Sequence, residues 1–149
     1  MFQGQYTVKV GDFFRIAFPN VYREKLVERI IVTYGFDQSL IVTSENNWDE
    51  LYKKEIEEKS FLIPEVRDIK RFFLGGITYI EFDKQGRFIL PEYLREHAQI
   101  RTNEEVTCVW QHEYIEIWNR KVWLEREIGV LKNISLIAEK LSRNEERDE

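Results

Sequence analysis

The chain is poor in the residues that usually announce a chemistry. One cysteine, Cys108, stands in the whole sequence, so no intrachain disulfide can form. Its setting, Val106-Thr107-Cys108-Val109-Trp110, is apolar and reads as a buried structural thiol rather than a reactive one. Only two histidines occur, His97 and His112, and neither has a cysteine or second histidine at metal-ligand spacing, which argues against a zinc site. Charged residues interrupt every apolar run before it reaches membrane-spanning length. The start, Met1-Phe2-Gln3-Gly4-Gln5-Tyr6, lacks the basic and apolar regions of a signal peptide, so a cytoplasmic location is expected. A basic excess is also missing: 22 Lys and Arg face 27 Asp and Glu, a net charge of −5. That balance excludes wholesale coating of nucleic acid and leaves only a local basic face. There is no phosphate-cradling glycine loop, nucleophile elbow or triad pattern, and no acid lies in an apolar context that would tune it for catalysis. No cofactor and no enzymatic activity are expected.

What is there is a repeat. Val10-Gly11-Asp12-Phe13-Phe14-Arg15-Ile16-Ala17-Phe18-Pro19 is echoed by Phe82-Asp83-Lys84-Gln85-Gly86-Arg87-Phe88-Ile89-Leu90-Pro91. One offset of 72 superposes Arg15 on Arg87, Pro19 on Pro91, and Arg23-Glu24 on Arg95-Glu96. Apolar positions coincide as well: Val8 with Ile80, Ile16 with Phe88, Phe18 with Leu90 and Tyr22 with Leu94. Two copies of a small unit bury their faces against each other, which favours a binding scaffold over an asymmetric active site.

Each copy reads as strand, turn, strand, short helix, hairpin, helix. Residues 6–10 and 78–82 alternate and are rich in β-formers, and residues 15–18 and 87–90 form second short strands. Gly86 suits a positive φ in its turn; Phe14, at the matching position, does not, so the two turns should differ. Pro19 and Pro91 open short helices over about 19–26 and 91–98, with Tyr22 and Leu26 on one face. Hairpins follow at 30–43 and 105–118, where the offset grows to 75 through the polar loop Arg101 to Glu104. Helices are expected from about 45 to 58, from Pro64 through Phe73, and from 119 to about 141. The organisation is a first repeat with its helix over 1–60, a linker helix over 61–75, a second repeat with its helix over 76–143, and a fraying charged tail over 144–149. Trp48, Trp118 and Trp123 read as core or helix-docking anchors.

Met1-Phe2-x-Gly4-x-Tyr6, the two Arg-x-x-x-Pro units with their Arg-Glu helices, Phe72-Phe73, Asp83 to Arg87, and Glu116-Ile117-Trp118 together resemble the MraZ family over residues 1 to about 141. The resemblance implies an α+β, mainly β fold: two tandem AbrB-like units closing one pseudo-two-fold, double-split swapped-hairpin β-barrel with flanking helices. It also implies a nucleoid-associated repressor that assembles into ring-shaped homo-oligomers. Such a protein binds direct repeats of double-stranded promoter DNA ahead of its own division and cell-wall operon. The family's Asp-x-x-x-Arg signature is intact as Asp83 and Arg87; in the first copy Arg15 remains, but Gly11 stands where the acid belongs. Arg15, Asp83 and Arg87, joined by Lys84 and Lys9, are the expected DNA-binding residues. Arg23 and Arg95, each followed by Glu, suit structural ion pairs better. Phe13 and Phe14 suit packing, or a wedge between bases. Two other readings stay open: an antitoxin on the same scaffold, and an assembly protein with reduced DNA binding.

Overall fold

A computed structural model of the chain describes residues 4–24 and 29–148. Among these residues eight strands are distributed over two sheets. The larger is antiparallel and six-stranded, built from β1 (Gln5–Lys9), β3 (Ile30–Tyr34), β4 (Leu40–Ser44), β5 (Thr78–Ile80), β7 (Glu105–Trp110) and β8 (Ile115–Asn119) in the order β1-β7-β8-β4-β3-β5. The smaller is a two-stranded ribbon of β2 (Arg15–Ala17) and β6 (Arg87–Ile89). Shifting by the repeat offset turns β1 into β5, β2 into β6, β3 into β7 and β4 into β8. Under that exchange the six-strand order reads the same backwards. The first strand of each copy pairs with the third strand of the other, β1 with β7 and β5 with β3. The ribbon joins the two second strands with Ile16 opposite Phe88 at its centre. One compact unit, Met1–Asn119, therefore contains strands of both copies, and α5 (Arg120–Asp148) is a unit of its own.

The large sheet is open, with β1 and β5 as its ends. Helix also outweighs strand, at about 50% against about 26% of the chain, so the fold is mixed rather than mainly β. Much of that helix lies in α5, whose 29 residues reach Asp148 and take in the segment expected to fray. Glu, Lys and Arg there are good helix formers, and Glu139 and Arg143 lie 3.9 Å apart one turn from each other.

The central strands are apolar on both faces because both faces are covered. Val32, Val42, Ile115 and Ile117 join Val10, Ile16, Phe18, Phe88, Leu90 and Leu94 in the main core. Alternate residues Ile31 and Ile41 point the other way, onto Trp48 and Phe73. Trp48 belongs to α2 (Glu45–Tyr52), which Ser44 caps by accepting a hydrogen bond from the Asn47 amide at 3.2 Å. Phe73 belongs to α3 (Pro64–Gly75), which has Pro64 in its first turn. The helix expected to run unbroken to residue 58 widens into a π-type turn over Lys53–Glu57. Cys108 is buried in the main core, and desolvation pushes its thiol up to about 12.

The short helices α1 (Asn20–Arg23) and α4 (Glu92–Ala98) begin one residue later than the prolines suggested. Pro19 and Pro91 occupy the cap, extended at ψ 149° and 152°, and their carbonyls take the first helical amides. Leu94 and Ala98 are buried on one face as the spacing required. The matching position of the first copy, Leu26, lies outside the described residues.

Candidate nucleic-acid interface

Strand alternation decides what the ribbon shows to solvent. Ile16 and Phe88 point into the core, so Arg15 and Ala17 on β2 and Arg87 and Ile89 on β6 point out. Arg15 is opposite Ile89 and Arg87 is opposite Ala17, which sets the two arginines diagonally across one face. That diagonal corresponds to roughly 7–8 Å between backbone positions. Ile89 is 57% exposed and completes this face. The repeat comparison passed over it, although the period-2 pattern through Phe88 and Leu90 could have found it.

The turn ahead of β6 accounts for the Asp-x-x-x-Arg spacing. One carboxylate oxygen of Asp83 accepts hydrogen bonds from the Gln85 amide at 2.9 Å and the Arg87 amide at 3.0 Å. The other takes the Arg87 guanidinium at 2.9 Å through Nε. Asp83 thus ties the turn with one oxygen and aims the arginine with the other. Its carboxyl is held below the usual carboxylate range, first by the Arg87 amide, against an opposing effect of desolvation, with the Gln85 amide and the guanidinium adding to the lowering. Both side chains remain more than a third exposed, so the pair adds little stability and its effect is orientation. Lys84 is exposed at the turn's tip. Lys9 is exposed as well, but it ends β1 on the other sheet, in register with Glu105.

The turn ahead of β2 has the same frame and a different interior. Gly11 donates its amide to the Arg15 carbonyl at 2.9 Å, just as Asp83 does to Arg87 at 2.8 Å. Inside, Phe13 and Phe14 both have left-handed backbones, at φ 59° and 57°. The expected difference in shape is present, although Phe14 does adopt the positive φ that its side chain disfavours. Such residues cost about 1–2 kcal/mol each. Arg95 from α4 stacks over the Phe14 ring at 3.5 Å, and Arg15 lies 5.3 Å from the Phe13 ring. Exposed cation–π contacts return only about 0.5–1 kcal/mol, so the strain is not fully offset.

Arg23 and Arg95 act across the copies. Arg23 donates from Nε to the Phe18 carbonyl at 2.9 Å and lies against Gly86, where a Cβ would run into its guanidinium. Arg95 stands over Phe14, the residue that matches Gly86. Arg23 thus holds the Phe18 carbonyl of its own copy while lying against Gly86 of the other copy's turn, and Arg95 covers a ring of the other copy's turn. Among the described residues no group of three or more histidines, cysteines or acids is arranged to hold a metal ion. Nor is any described helix long and apolar enough to cross a membrane.

Fold and site define a two-copy β scaffold that presents an arginine-bearing ribbon. Known proteins narrow this further. The family model described as "MraZ protein, putative antitoxin-like" matches twice, over residues 1–72 and 73–140. The chain is 37% identical to the transcriptional regulator MraZ of Caldanaerobacter subterraneus over 95% of this chain and 96% of that one. It is 33% identical to the Oenococcus oeni protein of the same name over 95% and 97%, and 38% identical to that of Desulfitobacterium hafniense over 84% and 85%. The chain belongs to the MraZ family, a family of transcriptional regulators and not of enzymes.

Proposed function

We propose that this protein is a sequence-specific, double-stranded-DNA-binding transcriptional regulator that uses the β2–β6 ribbon as its reading edge. The observation that carries the reading is the Asp83–Arg87 clamp on a solvent-facing ribbon. A two-stranded ribbon fits the major groove, and an arginine held in one pose can bond guanine O6 and N7 with both arms. Arg15, with Gly11 at the position matching Asp83, suits a phosphate, and Lys84 and Lys9 add local positive charge. Ile89 and Phe13 offer apolar contacts to thymine methyl groups. The names of the relatives support regulation of transcription.

The finer features belong to the same proposal. The reciprocal pairing of β1 with β7 and of β5 with β3 supports a pseudo-two-fold swapped-hairpin arrangement of two AbrB-like units. With so few cations per copy, a ring-shaped homo-oligomer on direct repeats would gain apparent affinity through effective concentration. Repression of its own division and cell-wall operon, in the cytoplasm at the nucleoid, completes the reading. The test is fluorescence anisotropy with DNA from upstream of the chain's own gene against a scrambled duplex. Preferential binding that falls in Arg87→Ala supports the proposal; equal affinity for both duplexes refutes it.

A further inference from the structure

Within the compact unit Met1–Asn119, the sheet, α2, the π-type turn and α3 surround a cavity of about 420 Å³ on the side away from the main core. That volume suits a small organic molecule. Its walls are aromatic, with Phe36, Trp48, Tyr52, Phe73 and Tyr114 all lining it. Between ring centres, Trp48 lies 5.7 Å from Phe73 and 6.3 Å from Tyr52, and Phe36 meets Phe73 edge-on at 5.3 Å. Aromatic faces carry partial negative charge and attract a cation placed over them.

The charged residues around the cavity have the same preference. Glu55, Glu65 and Glu116 line it against a single base, Lys59. Glu55, Lys59 and Glu65 are exposed and stand at its mouth, while Glu116 is half-buried on β8. One Glu116 oxygen accepts hydrogen bonds from Trp118 Nε1 and Gln111 Nε2, each at 3.2 Å, which hold the carboxylate in place. Beside it, burial raises the Tyr114 hydroxyl above its ordinary range, and the Glu116 and Glu113 carboxylates add to the rise, as a negative local field requires. Such a field repels an organic acid and attracts an organic cation. Part of the wall is the π-type turn Lys53–Glu57, which supplies Glu55 and Ile56. Turns of this type are rare and gather at functional sites.

We infer that this cavity binds a small amphipathic cation, an organic amine whose apolar body sits among the rings and whose ammonium group faces Glu55 and Glu65. No residue of the β2–β6 ribbon lines the cavity, so the site stands whether or not the ribbon reads DNA.

Calorimetric titration of the full-length chain with matched naphthalene probes provides the test. Naphthylethylamine carries the cation, its N-acetyl derivative removes the charge, and naphthaleneacetate reverses it. The amine should bind about tenfold more tightly than the acetylated probe, and the acid more weakly than either. Glu55→Gln with Glu65→Gln, both at exposed positions, should remove the advantage of the amine and leave the acetylated probe's affinity unchanged. Val66→Trp, which puts a large ring into the lining, should abolish binding of every probe. The glutamine pair decides the matter if Val66→Trp does not fold. Equal affinity for amine and acid would overturn the assignment, as would amine binding that keeps its advantage in the glutamine pair. Binding that survives in a folded Val66→Trp chain would place the probe elsewhere and overturn it too. An unaltered chain that takes up none of the probes would show the cavity closed or covered by another copy of the chain, and the amine site would fall.

Discussion

The turns Gly11–Arg15 and Asp83–Arg87 share a backbone frame and differ in what fills it. Both close with an amide-to-carbonyl bond of 2.8–2.9 Å, and both feed a solvent-facing arginine into the ribbon. In the second turn a carboxylate ties the amides and aims Arg87, while Gly86 takes the left-handed position at φ 76° without a side-chain penalty. In the first turn two phenylalanines carry left-handed backbones, and the Phe13 ring lies 5.3 Å from Arg15. A repeat can thus conserve its hydrogen-bonded frame while its two arginines diverge in how firmly they are held. Firm orientation suits reading bases, and loose charge suits holding phosphate. Backbone strain beside an exposed Phe13, 73% open to solvent, marks the first turn as a place where a surface is retained against a local cost.

The largest expected effect is on binding. Arg87→Ala should weaken affinity for the upstream DNA by about 1–3 kcal/mol, the usual contribution of one good bidentate base contact. Arg15→Ala should cost less and affect specific and scrambled duplexes alike. Equal, sequence-dependent losses in an anisotropy titration would erase the proposed division between the turns. Next in size, Gly86→Ala should destabilise the fold by about 1–2 kcal/mol, since it places a Cβ at φ 76° and against the guanidinium of Arg23. Urea unfolding measures it, and an unchanged midpoint would show that the second turn does not need its glycine. Phe13→Gly should do the opposite in the first turn, gaining up to about 1 kcal/mol as the left-handed strain is relieved.

A smaller effect should follow from restoring the missing acid. Gly11 has an ordinary φ of −81°, and a Cβ there would meet only the Arg15 carbonyl at 3.6 Å, so aspartate fits. Gly11→Asp should sharpen the preference for specific over scrambled DNA without strengthening nonspecific binding. Smallest is the pH response of Asp83. Because folding lowers its pKa, its contribution to stability is complete above the unfolded value of about 3.9 and fades as pH falls through the lower folded value. Asp83→Asn should flatten stability against pH only in that acid window, and a difference in slope near pH 7, where Asp83 is ionised in both states, would count against the assignment.

Much of this was legible in the sequence because it depends on period. Alternation marked the strands to within a residue or two, and the apolar setting of Cys108 marked a core position, since burial follows the pattern of neighbours. The family signature, rather than spacing alone, pointed to Asp83 and Arg87, although not to one oxygen taking two turn amides. Other features depend on tertiary context. Phe13 and Phe14 hold left-handed backbones because the frame around the turn demands them, with Arg95 of the other copy over Phe14. Arg23 and Arg95 read as makers of ion pairs, but Arg23 bonds the Phe18 carbonyl beside Gly86 of the other repeat and Arg95 lies over Phe14 of the other repeat. The reciprocal pairing of strands between copies is likewise invisible to an offset, which finds likeness and not adjacency. Residues 144–148 read as a charged tail, and the helix α5 runs through them to Asp148, as Glu and Arg favour.

The central claim is that Asp83 acts on DNA recognition through Arg87. A double-mutant cycle on the ratio of affinities for upstream and scrambled DNA, using Asp83→Asn, Arg87→Ala and the double variant, tests it most directly. The account predicts that Asp83→Asn lowers the ratio in the unaltered chain and has no further effect once Arg87 is gone. Additive losses, with Asp83→Asn lowering the ratio equally in both backgrounds, would contradict it.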